Sequence, residues 1–428
     1  MKWLGWLAIG VVFLIAAAGL SACAFGPLRN VALTPRAQVA APAALAAFGA
    51  DPPVTSFSDW QARRAPLLRE AFQAEIFGRF PAPRLVTVTA RAPLAIPGLL
   101  AGSSAEQWSV QIGAAEEDIR FSMVLILPPG DGPKPVIVTQ NFCGNALAFE
   151  GVAGVAGPRF GPPKECQNEA MKPFVTAIFG NAIMTPPLDM ILPRGFGVVS
   201  IYAGDVVPDD AATAPAQLAK LTPPATPPEQ RTGAIAAWAY TYLAAAEALS
   251  ADPRIASRRI ALWGHSRNGK AALLAAAMDP RPAAVIALQS GTAGASLDRD
   301  EIGEGIAEIT KSFPHWFSPQ FATFGGRQSA LPVDQHQLLA LIAPRPVLIA
   351  AARRDGWADP QGALLAVRGA SPVYELAGRP AFAQARLDAW NSALPLAYYI
   401  RPGPHGVRRS DWAMALDFLD AQMKDPAR

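Results

Sequence analysis

The chain has 428 residues, 51% of them apolar, with 37 Lys plus Arg against 34 Asp plus Glu for a formal charge of +3. That length and apolar content suffice for a sizeable core, in one large α/β domain or two smaller ones, and exclude a disordered or fibrous chain. So small and dispersed a charge argues against nucleic acid as a partner.

Met1-Lys2-Trp3 precede an apolar run from Leu4 to Leu20, and Ser21-Ala22-Cys23 follow it. This is the arrangement of an export signal, expected over residues 1–22. Leu20-Ser21-Ala22-Cys23 is similar to the bacterial lipobox, where cleavage before the cysteine leaves a lipid-bearing N-terminus. Cys23 is then a lipidation site, and its acyl chains hold the protein on a membrane without a spanning helix. An uncleaved helix is the competing expectation, since the run approaches the ~20 residues that cross hydrocarbon. Either way the expected location is periplasmic or at the cell surface, with membrane contact through this N-terminus alone. With Cys23 set aside, Cys143 and Cys166 form an even pair in an oxidising compartment. They are a candidate disulfide; two unrelated buried thiols are the alternative.

Residues 23–50 are Pro- and Ala-rich without a clean period and are expected to be a flexible tether, leaving a single folded domain over 51–428. Short, nearly all-apolar runs at Pro135–Thr139, Gly195–Tyr202, Arg259–Trp263, Ala284–Leu288, Pro346–Ala351 and Ala397–Ile400 predict strands covered on both faces. Helical patterns span Gly233–Ser250, Lys270–Met278, Asp334–Leu341 and Asp411–Met423. Alternation of this kind gives an α/β fold, a three-layer αβα sandwich around a mostly parallel sheet. Chemistry in such a sheet is expected outside the carboxyl ends of its strands.

The strand Arg259–Trp263 runs into Gly264-His265-Ser266-Arg267-Asn268-Gly269-Lys270 and then into an alanine-rich helix. A serine on a sharp strand-to-helix turn presents its hydroxyl to the open, as in the nucleophile elbow of the α/β-hydrolase fold, and flanking glycines relieve the crowding. The second glycine is Gly269 rather than residue 268, so the spacing departs from G-x-S-x-G. Ser266 is the candidate nucleophile; an ordinary turn with Ser266 as a helix cap is the bland alternative.

A serine nucleophile needs a base, and the chain has four histidines. His265 adjoins Ser266 and should point elsewhere. His405 lies in Pro402-Gly403-Pro404-His405-Gly406, between the last strand and the last helix, and the order Ser, acid, His favours it over His315 and His336. The acid should be a carboxylate on a strand-end loop before His405. Asp355 comes first after the strand Pro346–Ala351 and is preferred. Asp359, just before Pro360, is expected to cap the next helix. No i, i+4 histidine pair and no phosphate loop with its lysine occurs, so neither metal nor cofactor is expected.

At this point the residues become more specific than the fold. Gly264-His265-Ser266-Arg267-Asn268-Gly269-Lys270 resembles the G-[CH]-S-R-x-G-K signature of glucuronoyl esterases, carbohydrate esterase family 15. The similarity continues through Gly303-Glu304, Pro314-His315-Trp316-Phe317, Leu331 to His336, Leu341 to Pro346 and Asp355 to Pro360, and covers roughly Gly233 to Phe418. The resemblance implies hydrolysis of the ester between a 4-O-methyl-glucuronic acid branch of xylan and a lignin alcohol. It implies Arg267 at the oxyanion and Lys270, Glu304 and Trp357 on the sugar. Fungal members carry the acid as a glutamate where Gln289 stands here; a neutral amide cannot balance an imidazolium, which strengthens Asp355. Rival readings are an acetylxylan esterase or general carboxylesterase, since fold and triad do not fix a substrate, and a catalytically silent carbohydrate-binding surface protein.

Overall fold

The computed structural model describes residues 30–37, 41–163, 166–167, 179–300 and 302–423; the export signal and Cys23 lie outside the described residues. Among the described residues nine strands form one sheet: β1 Val86–Pro93, β2 Ser104–Ile112, β3 Ile119–Leu127, β4 Lys134–Gln140, β5 Gly197–Ile201, β6 Ile255–His265, β7 Ala284–Leu288, β8 Val347–Ala352 and β9 Leu396–Arg401. Their order is β1-β2-β3-β5-β4-β6-β7-β8-β9. The pairs from β5 through β4 to β9 are parallel, and β1, β2 and β3 extend the sheet in antiparallel fashion.

Six helices matter for the site: α1 Ala65–Phe72, α2 Ala234–Ser250, α3 Arg267–Met278, α4 Gln335–Ala340, α5 Pro360–Leu376 and α6 Arg409–Met423. Strand residues alternate between the two helical layers because successive side chains point to opposite faces. In β6, Ile260 and Leu262 join the core formed with α1 to α5, whereas Ala261 and Trp263 join the core under α6. There Trp263 stacks on Trp412 with ring centroids 4.5 Å apart. A sheet buried on both faces has no polar face, which is why its strands are apolar runs without alternation.

The six expected strands and four expected helices are all present, with ends shifted by a few residues. The antiparallel extension was not expected. β1 is mostly exposed and alternates Thr87, Thr89 and Arg91 with small apolar residues, so it lacks the continuous apolar run of a central strand. The helix expected after Asp359 is α5; the sequence gives its start at Pro360 but not its extent, because Pro372 and two glycines sit inside it and obscure a helical pattern. The segment expected to be a tether differs as well. Ala44 is buried, Leu33, Leu45 and Phe48 pack on the main core, and buried Arg64 donates to the carbonyls of Ala44 and Ala46 at 3.0 and 2.6 Å. His336 Nε2 lies 2.7 Å from the Pro42 carbonyl. Docking here proceeds largely through backbone acceptors, which leave no side-chain period in the sequence.

Cys143 and Cys166 are joined in a disulfide with Cα atoms 5.7 Å apart. Among the described residues no helix is long and apolar enough to cross a membrane.

Candidate active site

Four parallel strands end side by side at one rim of the sheet, and each contributes to the site from its carboxyl end: β6 leads to Ser266, β7 to Gln289, β8 to Asp355 and β9 to His405. Ser266 has φ 55° and ψ −126°, in a region that costs a non-glycine residue of order 1–3 kcal/mol and that clusters at functional sites. Its N–H is held by the Leu288 carbonyl at 2.8 Å. A Cβ on Gly264 would collide with the Asn268 carbonyl, and one on Gly269 would come within 3.1 Å of both the Gly264 carbonyl and the Ser290 Cβ. The first glycine is therefore the sterically obligatory one, and the shifted second glycine is compatible with the same turn.

His405 Nδ1 lies 2.7 Å from Asp355 Oδ2, and Asp355 is buried. The second carboxylate oxygen of Asp355 accepts the Ala358 N–H at 3.3 Å, which fixes its orientation. The imidazole of His405 is flanked by the His265 ring, centroids 4.5 Å apart, and by Phe179 edge-on at 6.3 Å. Through His265 the elbow and the histidine loop are in direct contact. Burial holds the His265 imidazole well below the usual histidine range, with the nearby His405 adding to the effect. His265 is therefore neutral and places no second charge beside the base.

Asp359, the other candidate acid, is committed elsewhere. Its two carboxylate oxygens accept Arg36 Nη1 and Nη2, both at 2.7 Å. It stands at the position preceding α5, but its side chain makes no capping hydrogen bond. The expected cap is thus replaced by an ion pair, because a guanidinium offers a bidentate partner that a single helix N–H does not.

Arg267 lies with its guanidinium 4.7 Å above the Phe142 ring and 5.9 Å from that of Trp238, and its Nε is 3.1 Å from Asp209 Oδ2. Asp209 also meets His315 Nε2 at 2.8 Å and accepts Trp316 Nε1–H at 2.7 Å. Burial alone would raise the Asp209 carboxyl, but the Arg267 charge and the hydrogen bonds from His315 and Trp316 outweigh it and hold the group at about 2.

Lys270 is not a solvated residue of the first helical turn. It is buried, and Nζ donates to the carbonyl of Ser290 at 2.6 Å and to that of Thr292, which uses two of its three donors. Burial pulls its ammonium down to about 8, against the opposing pull of Glu304, Asp298 and Asp355. Glu304 is also largely buried; burial raises its carboxyl, while the Lys270 charge and a hydrogen bond from Trp357 lower it. Trp357 itself is 52% exposed. Its indole is half open to solvent beside Glu304, as suits a stacking platform rather than a core residue.

Two residues at this rim were not singled out for a role by the sequence. Gln289, with φ 50°, accepts the Gly406 N–H on Oε1 at 2.7 Å and donates Nε2–H to the Gly406 carbonyl at 3.0 Å. Asp209 is a carboxylate on the loop after β5, so the strand-end rule that singled out Asp355 covers it too. Among the described residues no cluster of His, Cys, Asp and Glu could hold a metal ion.

A family model described as glucuronyl esterase of fungi matches residues 226–378. The chain is 32% identical to the carbohydrate esterase MZ0003 of an unknown prokaryotic organism over 384 residues, which is 86% of this chain and 87% of that one. Among solved structures, a promiscuous CE15 esterase from a marine bacterial metagenome superposes with a TM-score of 0.77 at 29% identity, over 91% of this chain and 98% of the other. The glucuronoyl esterase of Solibacter usitatus gives 0.76 at 29% identity, over 91% and 99%. The elbow after β6, the histidine loop after β9 and these likenesses along nearly the whole chain agree, and the chain belongs to the glucuronoyl esterase family, carbohydrate esterase family 15, as a carboxylic ester hydrolase of the α/β-hydrolase fold.

Proposed function

We propose that this enzyme cleaves the ester between a (4-O-methyl-)glucuronic acid unit of glucuronoxylan and a lignin alcohol, with Ser266 as nucleophile, His405 as base and Asp355 as the acid. The observation that carries the proposal is the 2.7 Å contact between His405 Nδ1 and Asp355 Oδ2, with the His405 ring packed on His265, the residue before a serine held in a strained elbow. That contact fixes the tautomer: with the proton on Nδ1 directed at the carboxylate, Nε2 is left to accept.

In the first half-reaction Ser266 Oγ attacks the ester carbonyl carbon while His405 Nε2 takes the hydroxyl proton. The charge that develops on the carbonyl oxygen is met by Arg267 and by the N-terminal amides of α3, donors fixed before the reaction begins. The C–O bond to the alcohol then breaks, and the proton on His405 passes to the departing oxygen. In the second half His405 removes a proton from water, the hydroxide adds to the acyl carbon, and Ser266 leaves as the alcohol with the same proton. Asp355 balances the imidazolium in both halves.

Lys270, Glu304 and Trp357 grip the uronate, the acyl half. Trp357 supplies a flat apolar face for the sugar ring, and Glu304 and Lys270 supply an acceptor and a donor for its hydroxyls. Tolerance for the alcohol follows, because the recognised half is the other one. Kinetics on benzyl glucuronate and on 4-nitrophenyl acetate, for wild type and Ser266→Ala, test this. Loss of both activities in the variant and a strong preference for the glucuronate in the wild type are expected. Equal treatment of the two acyl groups would instead point to an acetylxylan esterase or a general carboxylesterase, and absence of all turnover to a carbohydrate-binding protein.

We infer in addition that the protein is exported and lipid-bearing at Cys23, on the strength of Leu20-Ser21-Ala22-Cys23. A disulfide between Cys143 and Cys166 accords with an oxidising compartment. Mass spectrometry of the membrane fraction for a diacylated Cys23, absent in Cys23→Ser, is the check.

A further inference from the structure

The loop carrying Trp357 and the loop carrying Glu304 come from different strand ends, yet they are sewn together. The Glu304 N–H donates to the Trp357 carbonyl at 3.0 Å. Ser296 Oγ donates to the carbonyl of Ala358 at 2.6 Å and lies 3.1 Å from that of Asp359. A Cβ on Gly303 would strike the Trp357 carbonyl, so the two backbones pass as closely as a glycine allows.

The last stitch comes from outside both loops. Arg36, on the segment 30–37 that precedes the first helix, pairs bidentately with Asp359, two residues after Trp357, and through Nη2 also with Asp300, four residues before Glu304. All three side chains are at most 20% exposed. The strap itself is fastened along the same loop. The Val31 N–H donates to the Arg353 carbonyl at 2.7 Å, the Arg36 N–H to Gln361 Oε1 at 2.7 Å, and Gln361 Nε2 to the Ala32 carbonyl at 3.1 Å. Without the guanidinium, Asp300 and Asp359 would be two like charges facing each other across the seam.

We propose that Arg36 is a positioning residue for substrate recognition: it clips the Glu304 loop to the Trp357 loop and so sets the width of the uronate subsite, making the N-terminal strap a part of the binding wall. The proposal rests on the assignment of Glu304 and Trp357 to the sugar. It touches no reacting atom, so its signature is in KM rather than in kcat. A guanidinium is suited to this because its planar fork can serve two carboxylates at once, which an ammonium on a flexible stem does less well.

The test is steady-state kinetics on benzyl glucuronate for Arg36→Ala, Asp300→Asn, their combination and Trp357→Ala, with melting temperatures recorded alongside. Arg36→Ala and Asp300→Asn are each expected to raise KM about tenfold with kcat changed less than about threefold. The combination should be no worse than the more affected single variant, since both remove one clip. Additive effects, equal movement of kcat and KM, or an unchanged KM would overturn the clip. If Arg36→Ala does not fold, Asp300→Asn keeps the size and the Arg36–Asp359 pair and carries the same test by itself. An unchanged KM in Trp357→Ala overturns the sugar assignment and with it the premise. A raised KM in Trp357→Ala without one in Arg36→Ala and Asp300→Asn overturns the clip alone.

Discussion

The side-chain amide of Gln289 grips both backbone groups of Gly406, accepting its N–H at 2.7 Å and donating to its carbonyl at 3.0 Å across 117 residues of sequence. Gly406 follows His405 directly, so the amide at the end of β7 fixes the loop that carries the base. Arg401 adds a second hold: Nη2 donates to the same carbonyl at 2.6 Å, and its Nε is bound by the buried carboxylate of Asp411, 2.9 Å from each oxygen.

Gln289→Ala should therefore leave a buried N–H without a partner and loosen the histidine loop. A stability loss of about 1–3 kcal/mol is expected from the unsatisfied group, together with a fall in kcat. Gln289→Glu replaces the donating Nε2 by an oxygen facing a carbonyl oxygen and should be no better than alanine. Denaturant unfolding and single-turnover kinetics provide the check; a Gln289→Glu enzyme with wild-type stability and turnover would contradict the clamp.

Asp355→Asn should reduce kcat by about ten-thousand-fold while the fold survives, because the amide can present a donor to Nδ1 and favour the wrong tautomer. Asp359→Asn should weaken the Arg36 pair and raise KM, with far smaller loss of kcat. Turnover retained in the first variant and abolished in the second would reverse the assignment of the acid.

Asp209→Asn removes the anion that holds Arg267. The oxyanion interaction strengthens only as charge develops, so kcat should fall about ten- to hundredfold with little change in KM. An unaltered kcat would mean that Arg267 keeps its place without the Asp209 charge.

Lys270 gives a pH dependence. Its folded-state pKa of about 8 lies below its ordinary 10.5, so the cation is present below that pH and is lost as pH rises through about 8. KM for a glucuronate ester should accordingly rise between about pH 7 and about pH 9, and the inflection should vanish in Lys270→Met. For stability the sign is opposite. Between about 8 and 10.5 the unfolded chain binds the extra proton, so this group makes folding more favourable as pH rises through that window. A KM that is flat to pH 10 would show that the ammonium does not meet the substrate.

Much of this site was legible in the sequence because its signals are local. The run Arg259–Trp263 followed by Gly264 to Lys270 defines a strand, a sharp turn and a helix without reference to anything distant, and His405 sits in a Gly- and Pro-bounded loop directly after an apolar run. Gln289 was passed over as a neutral residue in the place of an acid; only its bonds to Gly406 reveal a use for neutrality. Arg36 lay in a stretch without periodicity and gave no signal at all.

The sequence by itself determined strands β4 to β9, four of the helices, the elbow serine, the histidine loop and a short choice of acids, since apolar period, glycine placement and strand-end position are properties of neighbouring residues. The tertiary structure decided which aspartate reaches the histidine, that the other answers to Arg36, that Lys270 is buried on two carbonyls and that Trp357 is open. Those outcomes depend on distances between side chains tens to hundreds of residues apart, which only the packing of the sheet and its loops fixes.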